Sequence, residues 1–526
     1  MVKHRSTAWI LGAIVLCAVA LRLYAFRGYF GLDDGEYTRL ANAMAGGNWE
    51  AFIDENYIKN FYAPAHLPYR TALIAPLALM FGFFGISEPV LVFYPLLISI
   101  LGVILAFVFG RFIFGVNAGL IAAAFWAVLP VDVTLATQFL PDAIASFYAS
   151  LGVLVVLYVR ASGPKRALHS FLGGAAAGLL FGISWLSKES IVYLVPLCGL
   201  LLIADLWTDS KKAWPLWAGV AVASGGVLLA EMITYGVLRG DFLLRMHENE
   251  RSFVQTKSYL FYEGSRFGWP VGASHAKALL KRLFLDGPSK IFLNGQFLYL
   301  PLLGLLGAAY GAYWKDRAFL IPGLWMITLV LAYNLASCSF SAYTPLVLLD
   351  RYLHPILLPA SVLTAGLAVK LLGKADAIAP ESDSRERFFW GSVVAVVVVS
   401  IAGYSAFRTV RDVDRIRSIY SIRQIAGLMN PTDTVYTDPL TGKALEFFWR
   451  FPSSTGLVNF EGMRAEDIKP GSFVFVDKHR LDWLKVNVSM WLTKDYGYHE
   501  PEFSGRAPDS WTRLWRNENG TLYRVN

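Results

Sequence analysis

Between residues 8 and 407 the chain is a succession of apolar blocks, many long enough to cross a bilayer, separated by short polar or basic segments. A hydrocarbon core about 30 Å thick takes about 20 helical residues. Inside it, each backbone amide must find its partner within its own segment or a closed barrel. Uninterrupted blocks of this length therefore point to a polytopic bundle of membrane helices. Composition agrees, with 55% of residues hydrophobic and only 16% charged, unlike a soluble domain. The net charge of +8 suits cytoplasmic loops and lipid headgroups, so membrane lipids are expected partners and nucleic acid is not. Cys17, Cys198 and Cys338 sit at scattered spacing in apolar surroundings, with no disulfide frame or zinc motif.

Lys3-His4-Arg5 ahead of an apolar run from about Ala8 to Phe26 predicts a first helix entering from the cytoplasmic side. The alternative is a cleaved signal peptide with Ala18-Val19-Ala20 as the cleavage site. The apolar run continuing through Leu21-Arg22-Leu23-Tyr24 argues for the helix. Residues 27–66 form a first outer loop, with one short surface helix after Asp33-Asp34 and another around Asp54–Lys59, closing on the re-entry turn Pro64-Ala65-His66-Leu67-Pro68.

Apolar blocks follow at about 69–86, 89–110, 116–130, 142–159, 171–186, 190–206, 213–238, 292–313, 318–337, 345–369 and 388–407. Basic residues at Arg111, Lys165-Arg166, Lys211-Lys212 and the linker Lys370–Arg387 mark cytoplasmic turns. Residues 239–290 form a second outer loop, with an amphipathic surface helix. Strict alternation breaks in the first blocks, so one of them, 69–86 being the candidate, is expected to be tilted, re-entrant or incompletely spanning. The total is 11–13 membrane helices, an odd number.

Two domains are therefore expected, a membrane domain over 1–407 and an extracytoplasmic one over 408–526. In the second, polarity rises and short strand-like runs appear, such as Thr434-Val435-Tyr436-Thr437 and Ser472-Phe473-Val474-Phe475-Val476, with helical pieces between them. That pattern predicts a small α/β domain.

Charges at the rim of membrane helices are costly and therefore informative. The densest cluster is Asp33, Asp34 and Glu36, just past the first span. Asp33 and Glu36 share a face if Asp33 opens a helix, and acids suit the positive end of that helix, so a solvated cap is the plain alternative. His66 stands at the re-entry turn, where a structural role is the simpler reading. Asp142 follows Leu140-Pro141, Lys188-Glu189 interrupts an apolar run, and Asp350-Arg351-Tyr352-Leu353-His354-Pro355 lies at a late rim. A snorkelling pair and a surface salt bridge are the alternatives for the last two groups. All of these groups can fall on the outer face. Carboxylates with Lys and Arg there suit a site that holds a lipid phosphate with cations and activates an acceptor with a carboxylate.

Taken in order, these landmarks resemble those of the GT-C class of integral membrane glycosyltransferases, in the branch of aminoarabinose transferases and protein O-mannosyltransferases. Asp33-Asp34-Gly35-Glu36-Tyr37-Thr38-Arg39-Leu40-Ala41 is similar to that branch's first-loop Asp-Glu/Asp-x-x-Tyr-x-x-x-Ala pattern. His66-Leu67-Pro68, Pro141-Asp142, Gly182–Lys188 and Arg351-Tyr352-Leu353-His354-Pro355 fill the later positions. The resemblance covers roughly residues 8–370. It implies Asp33 as the catalytic carboxylate, Asp34 assisting it or holding a divalent metal ion with His66, and Asp142 lining the same cavity. Lys188 would hold the donor phosphate, with Arg351 and Tyr352 helping. Trp491-Leu492-Thr493-Lys494-Asp495-Tyr496-Gly497 shares only Asp-Tyr-Gly with the oligosaccharyltransferase signature Trp-Trp-Asp-Tyr-Gly, which argues against transfer of whole glycans to asparagine.

The expected function is transfer of one sugar from a polyprenyl-phosphate donor, with inversion, to a lipid, glycan or protein acceptor on the extracytoplasmic face of a bacterial inner membrane. Two other classes compete. A lipid-linked sugar transporter or flippase would place its carboxylates on broken helices within repeats, whereas here they sit in a long loop and no repeat is visible. The other is a binding subunit with a degenerate site.

Overall fold

The computed structural model describes residues 2–29, 33–49, 70–162, 167–250, 275–337, 346, 348–378, 400, 403–409, 418–478, 480–481 and 501–526. His66 with its turn, the surface helix expected around 54–59, most of the span expected at 388–407 and the Trp491–Gly497 stretch lie outside them.

Among the described residues, eight helices are long and apolar enough to cross a membrane: Ser6–Tyr24, Glu88–Phe114, Pro141–Ala161, Ala167–Ser187, Glu189–Thr208, Ala213–Arg239, Arg317–Leu335 and His354–Gly373. Shorter apolar helices cover Thr71–Phe84, Val116–Ala127 and Leu300–Tyr313. The elements that build the site are α1 (Val2–Tyr24), α2 (Asp33–Ala45), α3 (Thr71–Phe84), α4 (Glu88–Phe114), α5 (Val116–Ala127), α6 (Pro130–Leu135), α7 (Pro141–Ala161), α8 (Ala167–Ser187) and α9 (Val195–Arg239). A later helix, α10 (Leu357–Ile378), follows the turn that carries Arg351.

Helix α3 accounts for the break in alternation. Its 14 residues span about 21 Å, less than the hydrocarbon thickness. At its start Arg70 donates to the Tyr37 hydroxyl of α2. Just past its end, Glu88 accepts from the Tyr29 amide at 3.0 Å and pairs with Arg423 of the C-terminal domain at 2.6 Å. Both ends thus meet groups beyond the C-terminal end of α1. The helix starts and finishes on that side of the bundle, the site face.

The helical stretch α9 contains a reversal. Trp217 donates to Asp205 at 2.9 Å, although twelve residues of straight helix would hold them about 18 Å apart. The spans Glu189–Thr208 and Ala213–Arg239 therefore run antiparallel. The second packs on α8 through glycines: a Cβ on Gly174 would lie 2.0 Å from the Leu216 carbonyl, and one on Gly219 2.1 Å from that of Phe171. Small residues of this kind let membrane helices approach backbone to backbone.

The C-terminal domain carries a five-stranded sheet, in the order β2-β1-β3-β5-β4. Strands β1 (Val435–Thr437), β2 (Leu457–Asn459) and β3 (Phe473–Asp477) are parallel, while β4 (Thr512–Arg516) and β5 (Gly520–Arg524) complete it antiparallel. Helices α11 (Ser418–Ala426) and α12 (Pro439–Phe448) pack on it. One apolar core runs from the bundle into this domain, joining Tyr37, Leu73 and Leu91 to Ile422, Phe447 and Phe475. Continuous burial of this kind holds the domain to the site face, since separating the two would expose apolar surface at roughly 25 cal/mol per Å².

Candidate active site

The site is assembled from the ends of elements. Asp33 opens α2, with Asp34 and Glu36 also in its first turn, where the helix dipole favours negative charge. The three carboxylates part company there. Asp33, one third exposed, pairs with Arg351 Nη1 at 2.9 Å. Asp34 is buried and lies beside Tyr29, whose phenol pKa is pushed up first by burial and then by the Asp34 charge. Glu36 contacts Lys443 of α12.

Asp142 enters at the start of α7, behind extended Leu140 and with Pro141 at the first helical position, where a proline loses no hydrogen bond. Lys188 is the residue at which α8 stops. Its backbone turns extended while its amide still donates to the Ser184 carbonyl at 2.8 Å. The break aims Lys188 Nζ at Asp142 Oδ1, and both side chains are buried. The same ammonium lies 3.6 Å from the centre of the Tyr352 ring, with the Arg351 guanidinium 5.2 Å from it. Such contacts strengthen as water is excluded. Asp142 Oδ2 has no hydrogen-bond partner among the described residues and faces Arg351 Nε at 4.0 Å.

Asp33, Asp142, Lys188, Arg351 and Tyr352, singled out in the sequence, thus form one cluster. Burial opposes the Arg351 charge, but Asp33, Tyr352 and Asp142 hold its pKa well above the usual value. Arg70 is a further member that the sequence reading missed. It is buried at the head of α3 against Tyr37, and although burial works against its charge, Tyr37, Glu189, Asp142 and Asp33 raise its pKa. Its signal in the sequence was a lone arginine directly before an apolar helix, the same cue that marked Lys188.

A second polar knot stands behind the first. Asp132 of α6 receives Arg22 of α1 at 2.5 Å, is bonded by Ser99 of α4, and meets His354 Nε2 at 2.9 Å. All four side chains are buried. His354 was noted in the sequence as part of the Arg351 group, but Arg22 and Asp132 were not. The signal for both is the one applied elsewhere, a charge inside an apolar block. The knot ties the turn carrying Arg351 to three helices.

Past Glu189 the wall of the bundle opens into a cavity of about 580 Å³ lined by Trp185, Ile191, Val195, Cys198, Trp217 and Leu228. Its polar edge is Glu231, which accepts from Arg245 Nη2 and Trp185 Nε1, each at 2.6 Å.

The described residues do not fit a metal centre. No group of three or more His, Cys, Asp or Glu among them could hold an ion. Asp33 and Asp142 are already engaged by Arg351 and Lys188, so a dication would meet these cations first. His66, the expected ligand beside Asp34, is outside the described residues.

Comparison with known proteins agrees with this architecture. Residues 71–260 match the family model described as dolichyl-phosphate-mannose-protein mannosyltransferase. No curated protein matches the chain in sequence. Among solved structures, the chain is similar to ArnT from Cupriavidus metallidurans bound to undecaprenyl phosphate, at 16% identity and a TM-score of 0.59, with 98% of each chain covered. It is also similar to the Archaeoglobus fulgidus oligosaccharyltransferase in complex with Zn and sulfate, at 14% identity and a TM-score of 0.57, covering 98% of this chain and 73% of that one. A third likeness is to AglB of the same archaeon with an inhibitory peptide and a dolichol-phosphate, at 13% identity and a TM-score of 0.56, covering 93% and 71%. The fold is thus that of the GT-C glycosyltransferases, the class that the sequence landmarks resemble, and the family model matches it over residues 71–260.

Proposed function

We propose that this chain moves a single sugar from a polyprenyl-phosphate donor to an acceptor at the site face, which we take as the extracytoplasmic side of a bacterial inner membrane. One observation carries the reading. Asp33 and Asp142 meet Arg351 and Lys188 in a single cluster at the helix ends, next to a cavity lined mainly by apolar side chains. A polyprenyl tail fits such a cavity, and the solved likeness bound to undecaprenyl phosphate supports a lipid phosphate as the ligand. The same reading takes residues 1–407 as the transferring domain and 408–526 as the domain that presents the acceptor.

The paired charges suggest how the reaction begins. The cations are held by carboxylates, and an incoming phosphate competes for them. Arg351 and Lys188 turning to phosphate leave Asp33 free to accept the proton of the acceptor hydroxyl. The acceptor oxygen forms a bond to the anomeric carbon while the bond from that carbon to the phosphate oxygen breaks, giving inversion. The electron pair leaves with the polyprenyl phosphate, whose growing charge the two cations stabilise. Tyr352, packed under both, holds them in place. Asp142 Oδ2 is placed to accept from a sugar hydroxyl. Asp34, buried beside Tyr29, shapes the first turn of α2. Lipid, glycan and protein acceptors all satisfy this chemistry.

The test is transfer from a panel of polyprenyl-phosphate sugars by the purified chain, with its own membrane extract as acceptor and Asp33→Asn alongside. Transfer that vanishes in the folded variant supports the reading. A folded wild type that transfers from no donor overturns it in favour of a lipid-linked sugar flippase.

A further inference from the structure

Glu36 lies one helical turn beyond Asp33 on α2. Its carboxylate meets the ammonium of Lys443, which belongs to α12 of the C-terminal domain, and both side chains are only 9% exposed. Around this pair the fit is close. Tyr29 stacks on Phe447 at 4.4 Å, its rings within 17° of parallel, and its hydroxyl donates to the Lys443 carbonyl at 3.3 Å. A Cβ on Gly35 would lie 2.9 Å from that hydroxyl, so α2 has no room to approach further. Arg39, on the next turn of α2, reaches Glu446 at 3.1 Å.

Helix α12 is itself fixed to the sheet. It follows β1 directly, and the Asp438 carboxylate caps it by accepting from the Thr441 amide at 3.0 Å. A continuous line therefore runs from β1 through Asp438, α12, Lys443 and Glu36 to Asp33, and across to Arg351. The pair is unlike a surface salt bridge. It is desolvated, so removing one partner leaves a buried charge without compensation, which Glu36 relieves by taking up a proton or by a shift of the first turn of α2.

We propose that Lys443 is a positioning residue of the transfer site: through Glu36 it sets where the C-terminal domain holds Asp33. The inference rests on the role given to Asp33 above. It means that the outer domain completes the site in addition to presenting an acceptor. It also explains why an acidic residue three positions after Asp33 is buried when a helix dipole alone would leave it in water.

Two measurements test it. The first needs no substrate: hydrogen–deuterium exchange of the full-length protein and of Lys443→Met. Faster exchange in α2, with the sheet and α10 unchanged, is expected; unchanged exchange in α2 overturns the proposal. The second is sugar transfer from the panel above. Lys443→Met is expected to lower kcat by about 10- to 100-fold, the cost of misplacing a reacting group by about an ångström, with the donor KM held. Lys443→Arg, and the exchange of charges in Glu36→Lys with Lys443→Glu, are expected to recover much of the rate. Arg423→Ala serves as the control, because it loosens the domain on Glu88 without touching α2. Equal losses in Arg423→Ala and Lys443→Met, or no recovery with Lys443→Arg, would reduce Lys443 to a general docking contact. If the wild type transfers no sugar at all, the functional reading fails, and the exchange measurement still decides whether Lys443 holds α2.

Discussion

Asp33 of α2 and Arg351 of the turn before α10 face each other at 2.9 Å, each about one third exposed. Each is braced from behind by a residue three positions on. Glu36 is held by Lys443 of the C-terminal domain, and His354 by Asp132 inside the bundle. A pair that is partly open to solvent has little intrinsic strength, so its geometry depends on these braces.

Asp33 and Arg351 should act as one unit. Arg351→Gln and Asp33→Asn are each expected to lower kcat/KM by about 100-fold or more, in the range seen when a group acting on developing charge is removed. The double variant should lose much less than the product of the two. Full additivity in a double-mutant cycle of transfer rates would show that the residues work independently.

Lys188 is expected to act on the donor. Lys188→Met should raise the donor KM and leave the acceptor KM in place, while lowering thermal stability because Asp142 stays buried without its partner. Adding Asp142→Asn should restore the melting temperature without restoring transfer. Melting curves in detergent together with donor saturation curves separate the two effects, and recovered transfer in the double variant would count against a phosphate role.

Asp132 is predicted to matter for folding first. Asp132→Ala strands buried Arg22 and should cost about 3–5 kcal/mol, as broken buried pairs do. The double replacement Arg22→Met with Asp132→Leu should be markedly milder, because no charge is left buried. Retention of folded protein on heating in detergent reads both.

Asp438 makes the C-terminal domain sensitive to pH. Burial, outweighing Arg480 and the hydrogen bonds from Thr441, raises its pKa above the reference 3.8. The folded state therefore holds its proton more tightly than the unfolded state. Its contribution to stability is fully present below the unfolded value and declines as pH rises from there through the folded value. Asp438→Asn should flatten that decline while keeping a capping oxygen for Thr441. An unchanged pH profile of domain unfolding would rule out Asp438 as its source.

The cavity beyond Glu189 predicts a dependence on chain length. Cys198→Trp fills space among the lining residues and should raise the KM of long polyprenyl donors more than that of short-chain analogues. Equal changes for both lengths would place the tail elsewhere.

Much of this arrangement was legible in the amino-acid order. Apolar blocks of bilayer length have few ways to satisfy their backbone amides, so the helices Pro141–Ala161 and Ala167–Ser187 fell where periodicity placed them. The cost of charge at a membrane rim marked Asp33, Asp142, Lys188 and Arg351 before any contact was known. The same cue was present but unread at Arg22, Arg70 and Asp132, because an isolated charge in a block reveals nothing of its partner. The alternation of the blocks showed that one does not cross, while the contacts of Arg70 and Glu88 identified α3.

The sequence by itself determined that most apolar blocks form membrane-length helices, that a small α/β domain follows, and which charges stand at their rims, because desolvation acts on each residue alone. Tertiary structure decided the pairings. That Asp33 meets Arg351, that Asp142 meets Lys188, and that Glu36 is met by a lysine of the C-terminal domain depend on which helix ends lie together. Packing of small residues between helices and the apolar core shared by bundle and domain settle that, and no local periodicity encodes it.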